Sequence, residues 1–91
     1  MAIAMLFEFR NMDGDTYDRF ISETYGGEPM PGVISHAAGP LDDGGWWAFD
    51  VYESQEAADR IASPAIERLG QMGVEVSPAV RTFQVHNFQG S

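Results

Sequence analysis

The stretch Gly44-Gly45-Trp46-Trp47-Ala48-Phe49-Asp50-Val51-Tyr52 opens as a glycine turn and continues as a short strand rich in aromatic residues, which suit a pleated surface. Alternate side chains of a strand point to opposite faces. Trp47, Phe49 and Val51 therefore share one face, and Trp46, Ala48, Asp50 and Tyr52 share the other. The first face is wholly apolar and is expected in the core. The second carries two aromatic rings, a carboxylate and a phenol, which suits a partner interface or the wall of a ligand cavity.

Upstream, Leu41-Asp42-Asp43-Gly44-Gly45 is a hairpin-type turn, so Trp46–Tyr52 is expected to pair antiparallel with the strand before it, Val33 to Ala38. That strand ends at Gly39-Pro40 and carries His36 on the face of Ile34 and Ala38. Residues 3 to 10 form the first strand, with Ile3, Met5, Phe7 and Phe9 as a core face and Ala4, Leu6, Glu8 and Arg10 opposite. A turn at Asn11–Asp15 leads into a helix from about Thr16 to Tyr25, capped by Asp15 and stopped by Gly26-Gly27. Tyr17, Phe20, Ile21 and Thr24 would make its buried stripe. Glu28–Gly32, with two prolines, is a loop.

Downstream, Ser54 caps a second helix that buries Ala57, Ala58, Ile61 and Ala62. Ser63-Pro64 is expected to kink or restart it before Ile66, Leu69 and Met72, with Gly73 as the stop. Val74 to Pro78 is a loop or short extended piece, and Val80 to Phe88 is the last strand, with Gln84 and His86 on its cavity side. Gln89–Ser91 is a tail.

The order strand-helix-strand, strand-helix-strand is the ferredoxin-like βαββαβ plan, an α+β fold with an antiparallel four-stranded sheet and both helices on one side. At 91 residues the chain, 1–91, makes one small domain. The sheet face without helices would collect Trp46, Leu6, Val80 and Phe88. Such a face is too apolar for water, so a second copy of the chain is expected to cover it.

Composition excludes several functions. The net charge is −9, with fourteen acidic residues against five basic ones, all arginine. This opposes a nucleic-acid or anionic-membrane partner. With no lysine or cysteine, Schiff-base chemistry, a cysteine nucleophile, a disulfide framework and a thiolate metal site are unavailable. Two histidines fifty residues apart make no metal ligand set. The N-terminus has no basic segment, and Glu8 and Arg10 break its apolar run, so neither a signal peptide nor a membrane span is expected, and a cytoplasmic location is the default expectation.

Gly32-Val33-Ile34-Ser35-His36, the glycine turn, Gly45–Ser54 with the helix after it, and Val80–Phe88 together resemble the dimeric α+β barrel superfamily. Within it, the small stand-alone proteins similar to antibiotic-biosynthesis monooxygenases look closest. The resemblance spans about Ile3 to Phe88. It implies a homodimer that binds a small, flat aromatic or polyketide-like molecule, in a superfamily of cofactor-free oxygenases, haem-degrading enzymes, cyclases, isomerases and sensing domains. No cofactor is then expected, and a haem reading would rest on His86 as axial ligand.

The candidate catalytic groups are His36 and His86 as bases near neutral pH, Asp50 as a proton carrier and Tyr52 as a donor to an oxyanion. Trp46, Tyr17, Gln84, Glu8 and Arg10 are candidates for substrate contact. Each also has a plain structural reading: an interface histidine, an Asp50 ion pair with Arg10 or Arg81, solvent-facing charges on Glu8 and Arg10, and a helix stripe for Tyr17 and Tyr25. A cofactor-independent monooxygenase or other acid/base enzyme and a non-catalytic ligand-binding or accessory protein are the two functions consistent with this reading.

Overall fold

A computed structural model describes residues 2–26, 28, 30–77 and 80–89. Among them run β1 (Ile3–Arg10), α1 (Gly14–Tyr25), β2 (Val33–Pro40), β3 (Trp46–Tyr52), α2 (Gln55–Gln71), β4 (Glu75–Val76) and β5 (Arg81–Gln84). The sheet is antiparallel in the order β2-β3-β1-β4, with β5 also on β1. Because β3 occupies one edge of β1, β4 and β5 share the other: β4 at Phe9 and Arg10, β5 at Ile3 to Leu6. This is the expected ferredoxin-like α+β fold. The expected last strand, Val80 to Phe88, is shorter than expected: β5 covers only Arg81–Gln84, so His86, Asn87 and Phe88 lie beyond it, and the short extended piece expected before it is β4.

Register ties the two central strands together. Phe9 faces Trp46, Phe7 faces Ala48, Met5 faces Asp50 and Ile3 faces Tyr52. Since Phe7 and Phe9 pack under the helices with Phe20, Ala62 and Leu69, their partners Trp46 and Ala48 lie on that side too. Asp50 and Tyr52 follow by alternation. The expected sides of β3 are therefore reversed. Trp46, Ala48, Asp50 and Tyr52 are buried, whereas Trp47 and Phe49 remain 43% and 37% exposed. The helix-free face holds Leu6, Trp47, Phe49 and Phe83 rather than Trp46, and Val80 packs against the core. Val51 is buried on that outer side.

Local chemistry sets the element ends. Asp13, not Asp15, caps α1: its extended backbone lets the carboxylate accept from Thr16 N–H at 2.7 Å. That bond holds the Asp13 carboxyl below its usual range. The helix closes on Gly26 in the left-handed conformation; Gly27 lies outside the described residues. Of the expected stripe, Phe20 is buried, Tyr17 and Ile21 are half-buried, and Thr24 is exposed.

Ser54 caps α2 as expected, accepting from Ala57 N–H at 3.1 Å. The helix runs unbroken through Pro64. A proline leaves the carbonyl four residues back without its helical partner. Here both Arg60 and Pro64 are exposed, so water can serve that carbonyl, while buried Ala58, Ala62 and Leu69 keep the helix on the sheet. Gly32, at φ +84°, lets the chain enter β2 close to α2, where an added Cβ would stand 3.1 Å from Ala57 Cβ. The turn into β3 uses Gly44 at φ +90°.

Candidate functional site

The helix-covered face of β2 and β3 brings three polar side chains into contact. His36 and Asp50 are Cα partners across the β2–β3 pairing, and Tyr52 follows Asp50 by two positions on the same side. Asp50 is 8% exposed and Tyr52 only 1%. A buried carboxylate is tolerable only with hydrogen-bond partners, and both oxygens have one. Asp50 Oδ1 is bonded to His36 Nδ1, and Oδ2 accepts from the Tyr52 hydroxyl at 2.9 Å. His36 Nε2 is bonded to the hydroxyl of Tyr17, in the first part of α1.

The donor inventory orders this chain. An ionised carboxylate only accepts, so Tyr52 O–H and His36 Nδ1–H both donate to Asp50. In the neutral imidazole Nε2 then accepts, and Tyr17 O–H donates to it. The phenols suit this role. Burial, followed by the Asp50 charge, pushes Tyr17 above its ordinary pKa. Tyr52 is raised far more, by burial and then by the charge and hydrogen bond of Asp50. Both remain hydroxyl donors near neutral pH.

Aromatic packing holds Tyr17 in place. Its ring lies 5.4 Å from that of Trp46, and nearly parallel to the His36 ring at 6.1 Å. The Trp46 indole N–H is buried and has no hydrogen-bond partner among the described residues.

Tyr17, His36, Asp50 and Tyr52 line one part of a cavity between the sheet and the two helices. The remainder is almost wholly apolar, including Phe7, Phe20, Met30, Ile61 and Leu69. Its volume is about 50 Å³, against roughly 150 Å³ for a cavity that takes up benzene. A ring-sized ligand therefore requires its walls to shift. The flexible thioethers of Met12 and Met30 are suited to that movement.

The other candidates lie elsewhere. Trp46 supports Tyr17 without lining the cavity. Glu8 and Arg10 border a separate polar surface recess with Asn11 and Asp43, because alternation sends them away from Phe7 and Phe9. His86 and Gln84 are exposed and do not line the cavity: β5 ends at Gln84, and His86 lies beyond it. Asp50 pairs with His36 and Tyr52 rather than with Arg10 or Arg81. Tyr25, expected only in a helix stripe, also lines the cavity, and burial raises its pKa. Its position eight residues after Tyr17 was the signal, since that spacing returns to the same side of a helix.

Three solved structures share this architecture. A protein from Chloroflexus aurantiacus assigned as an antibiotic biosynthesis monooxygenase superposes with a TM-score of 0.68 at 16% identity, over 99% of this chain and 98% of that one. An asparagine-to-alanine variant of SnoaB, a cofactor-independent oxygenase from Streptomyces nogalater, gives 0.65 at 13%, over 99% and 98%. A protein from Deinococcus radiodurans with the same assignment as the first gives 0.62 at 10%, over 100% and 98%. At these identities the likeness is one of fold: the chain has the ferredoxin-like α+β fold of antibiotic-biosynthesis-monooxygenase-like proteins. No family model and no curated protein matches its sequence. Among the described residues, no helix is long and apolar enough to cross a membrane.

Proposed function

We propose that this protein is a small-molecule acid/base enzyme of the cofactor-independent oxygenase kind, with His36 as the base. The carrying observation is the Tyr17–His36–Asp50–Tyr52 chain at the edge of an otherwise apolar cavity. Asp50 orients the imidazole and stabilises it once protonated, and Tyr52 secures the carboxylate. The apolar walls suit a flat aromatic or polyketide-like compound bearing one acidic hydroxyl or an activated CH₂. Removing a proton from such a CH₂ leaves an electron-rich carbanion that dioxygen can oxidise. The overall change, CH₂ plus O₂ to C=O plus H₂O, balances without a further reductant. The SnoaB fold relation supports this choice among acid/base reactions.

A homodimer is part of the same proposal. Trp47, Phe49 and Phe83 crowd the helix-free face, and a second copy would remove that face from water.

The small cavity favours a second reading, a non-catalytic ligand-binding or accessory protein. Oxygen uptake separates the two, measured with a panel running from single-ring phenols and 1,3-diketones to tricyclic anthrones. Uptake that falls about 100-fold or more in His36→Gln is expected for a general base. Equal uptake in the variant removes His36 as the base, and binding without turnover across the panel leaves the accessory reading.

A further inference from the structure

We infer that the Tyr17 hydroxyl, rather than His36 directly, receives the substrate's proton, handing its own proton to His36 Nε2 in the same step. This rests on the acid/base reading above and identifies the group that meets the substrate. Both nitrogens of His36 are already engaged, Nδ1 by Asp50 and Nε2 by Tyr17. An arriving molecule therefore finds no open imidazole nitrogen. It meets Tyr17, one of the residues lining the cavity, whose hydroxyl can accept while it donates.

The alternatives are less economical. Tyr17 cannot act alone as a standing phenolate, because burial and the charge of Asp50 hold its proton on. Nor is it placed to swing away easily, with its ring against Trp46 and beside His36. In the relay, the substrate's O–H or C–H bond breaks and a new Tyr17 O–H bond forms. The former Tyr17 proton forms the Nε2–H bond, so negative charge goes to the substrate and positive charge to the imidazole beside Asp50. Afterwards Nε2–H donates to the Tyr17 oxygen, and Tyr17 O–H donates to the new substrate anion. One hydroxyl thus serves first in proton removal and then in oxyanion stabilisation.

The test uses 4-nitrophenol, whose phenolate is yellow, in buffer below the pH at which the free phenol ionises. With wild-type protein the bound probe is expected to show the phenolate band. Tyr17→Phe, which keeps the ring against Trp46, is expected to lower the bound phenolate fraction about tenfold or more, as is His36→Gln. If Tyr17→Phe keeps or raises the band while His36→Gln loses it, Tyr17 is a cover over the base and the relay alone is wrong. If both variants keep the band, His36 is not the base and both proposals fall. They also fall if the wild type does not bind the probe or binds it without ionising it. Nitrogen-15 NMR of His36 gives a check on unaltered protein. Nε2 should be unprotonated in the free state and protonated with the probe bound; an Nε2 that does not respond overturns the relay.

Discussion

The two sides of this sheet hold similar aromatic stock and use it in opposite ways. Under the helices, Phe7, Phe9, Trp46 and Tyr52 are buried around a carboxylate, an imidazole and a phenol. On the bare side Trp47, Phe49 and Phe83 remain exposed, Phe83 at 52%. Hydrophobicity alone would have buried the second set and exposed Asp50. The difference shows that a polar group can be buried where the register supplies its partners, and that an apolar face stays bare when its own chain supplies no cover.

The sharpest break of this contrast removes the charge at its centre. Asp50→Ala leaves the Tyr52 hydroxyl and His36 Nδ1 without their acceptor; an orphaned buried group costs about 1–3 kcal/mol, which applies in full to buried Tyr52 and less to half-buried His36. A loss of roughly 3 kcal/mol in urea unfolding is expected, together with loss of any His36-dependent turnover. A loss under about 1 kcal/mol would mean that the network contributes little to the fold. On the bare side, Trp47→Glu with Phe49→Glu should leave the fold intact and turn the proposed dimer into monomers. Burying one large apolar side chain is worth about 1.5–3 kcal/mol, so sedimentation should show the dimer constant weakened by at least tenfold. A wild type that is monomeric at high concentration would remove the second copy as the cover.

The same contrast marks what could be read from residues alone. The βαββαβ order was legible because Gly44, Gly26, Ser54 and the alternating strands are local signals. His36, Asp50 and Tyr52 were legible as candidates, and the structure brings them into one hydrogen-bonded chain. Their side of the sheet was not: alternation divides Trp46–Tyr52 into two sets but does not say which faces the helices. Pairing with Phe7 and Phe9 decides that, and pairing joins residues about forty positions apart. His86 was misleading for a related reason, since nothing local showed that the last strand stops at Gln84. Asp13 and Asp15 are both plausible caps by residue type, and only the backbone at Asp13 selects between them.

Alkaline pH probes the buried side as a unit. Tyr17, Tyr25 and Tyr52 are all raised above the ordinary tyrosine value of 10.0, mainly by burial. The folded state then holds these protons to higher pH than the unfolded chain does, so above that value the unfolded state binds fewer. Stability should be intact below about pH 10 and fall progressively above it. The urea midpoint measured from pH 8 to 11.5 checks this. A midpoint that stays flat to the end of that range would show that the three hydroxyls remain accessible to water.

The smallest expected effect isolates a single bond. Tyr52→Phe retains the ring in its buried position and deletes only the hydroxyl that donates to Asp50 Oδ2. The carboxylate keeps His36 as its other partner, so the loss should be that of a hydrogen bond to a charged group, about 1.5–3 kcal/mol at most and nearer 1 kcal/mol if water replaces the phenol. The variant should also lose less stability above pH 10 than the wild type, because one of the three raised phenols is gone. Those readouts separate two roles for the bond. If stability falls but His36-dependent chemistry is unchanged, Tyr52 only completes the packing of Asp50. If chemistry falls with it, the hydroxyl helps hold the carboxylate in the position that orients His36.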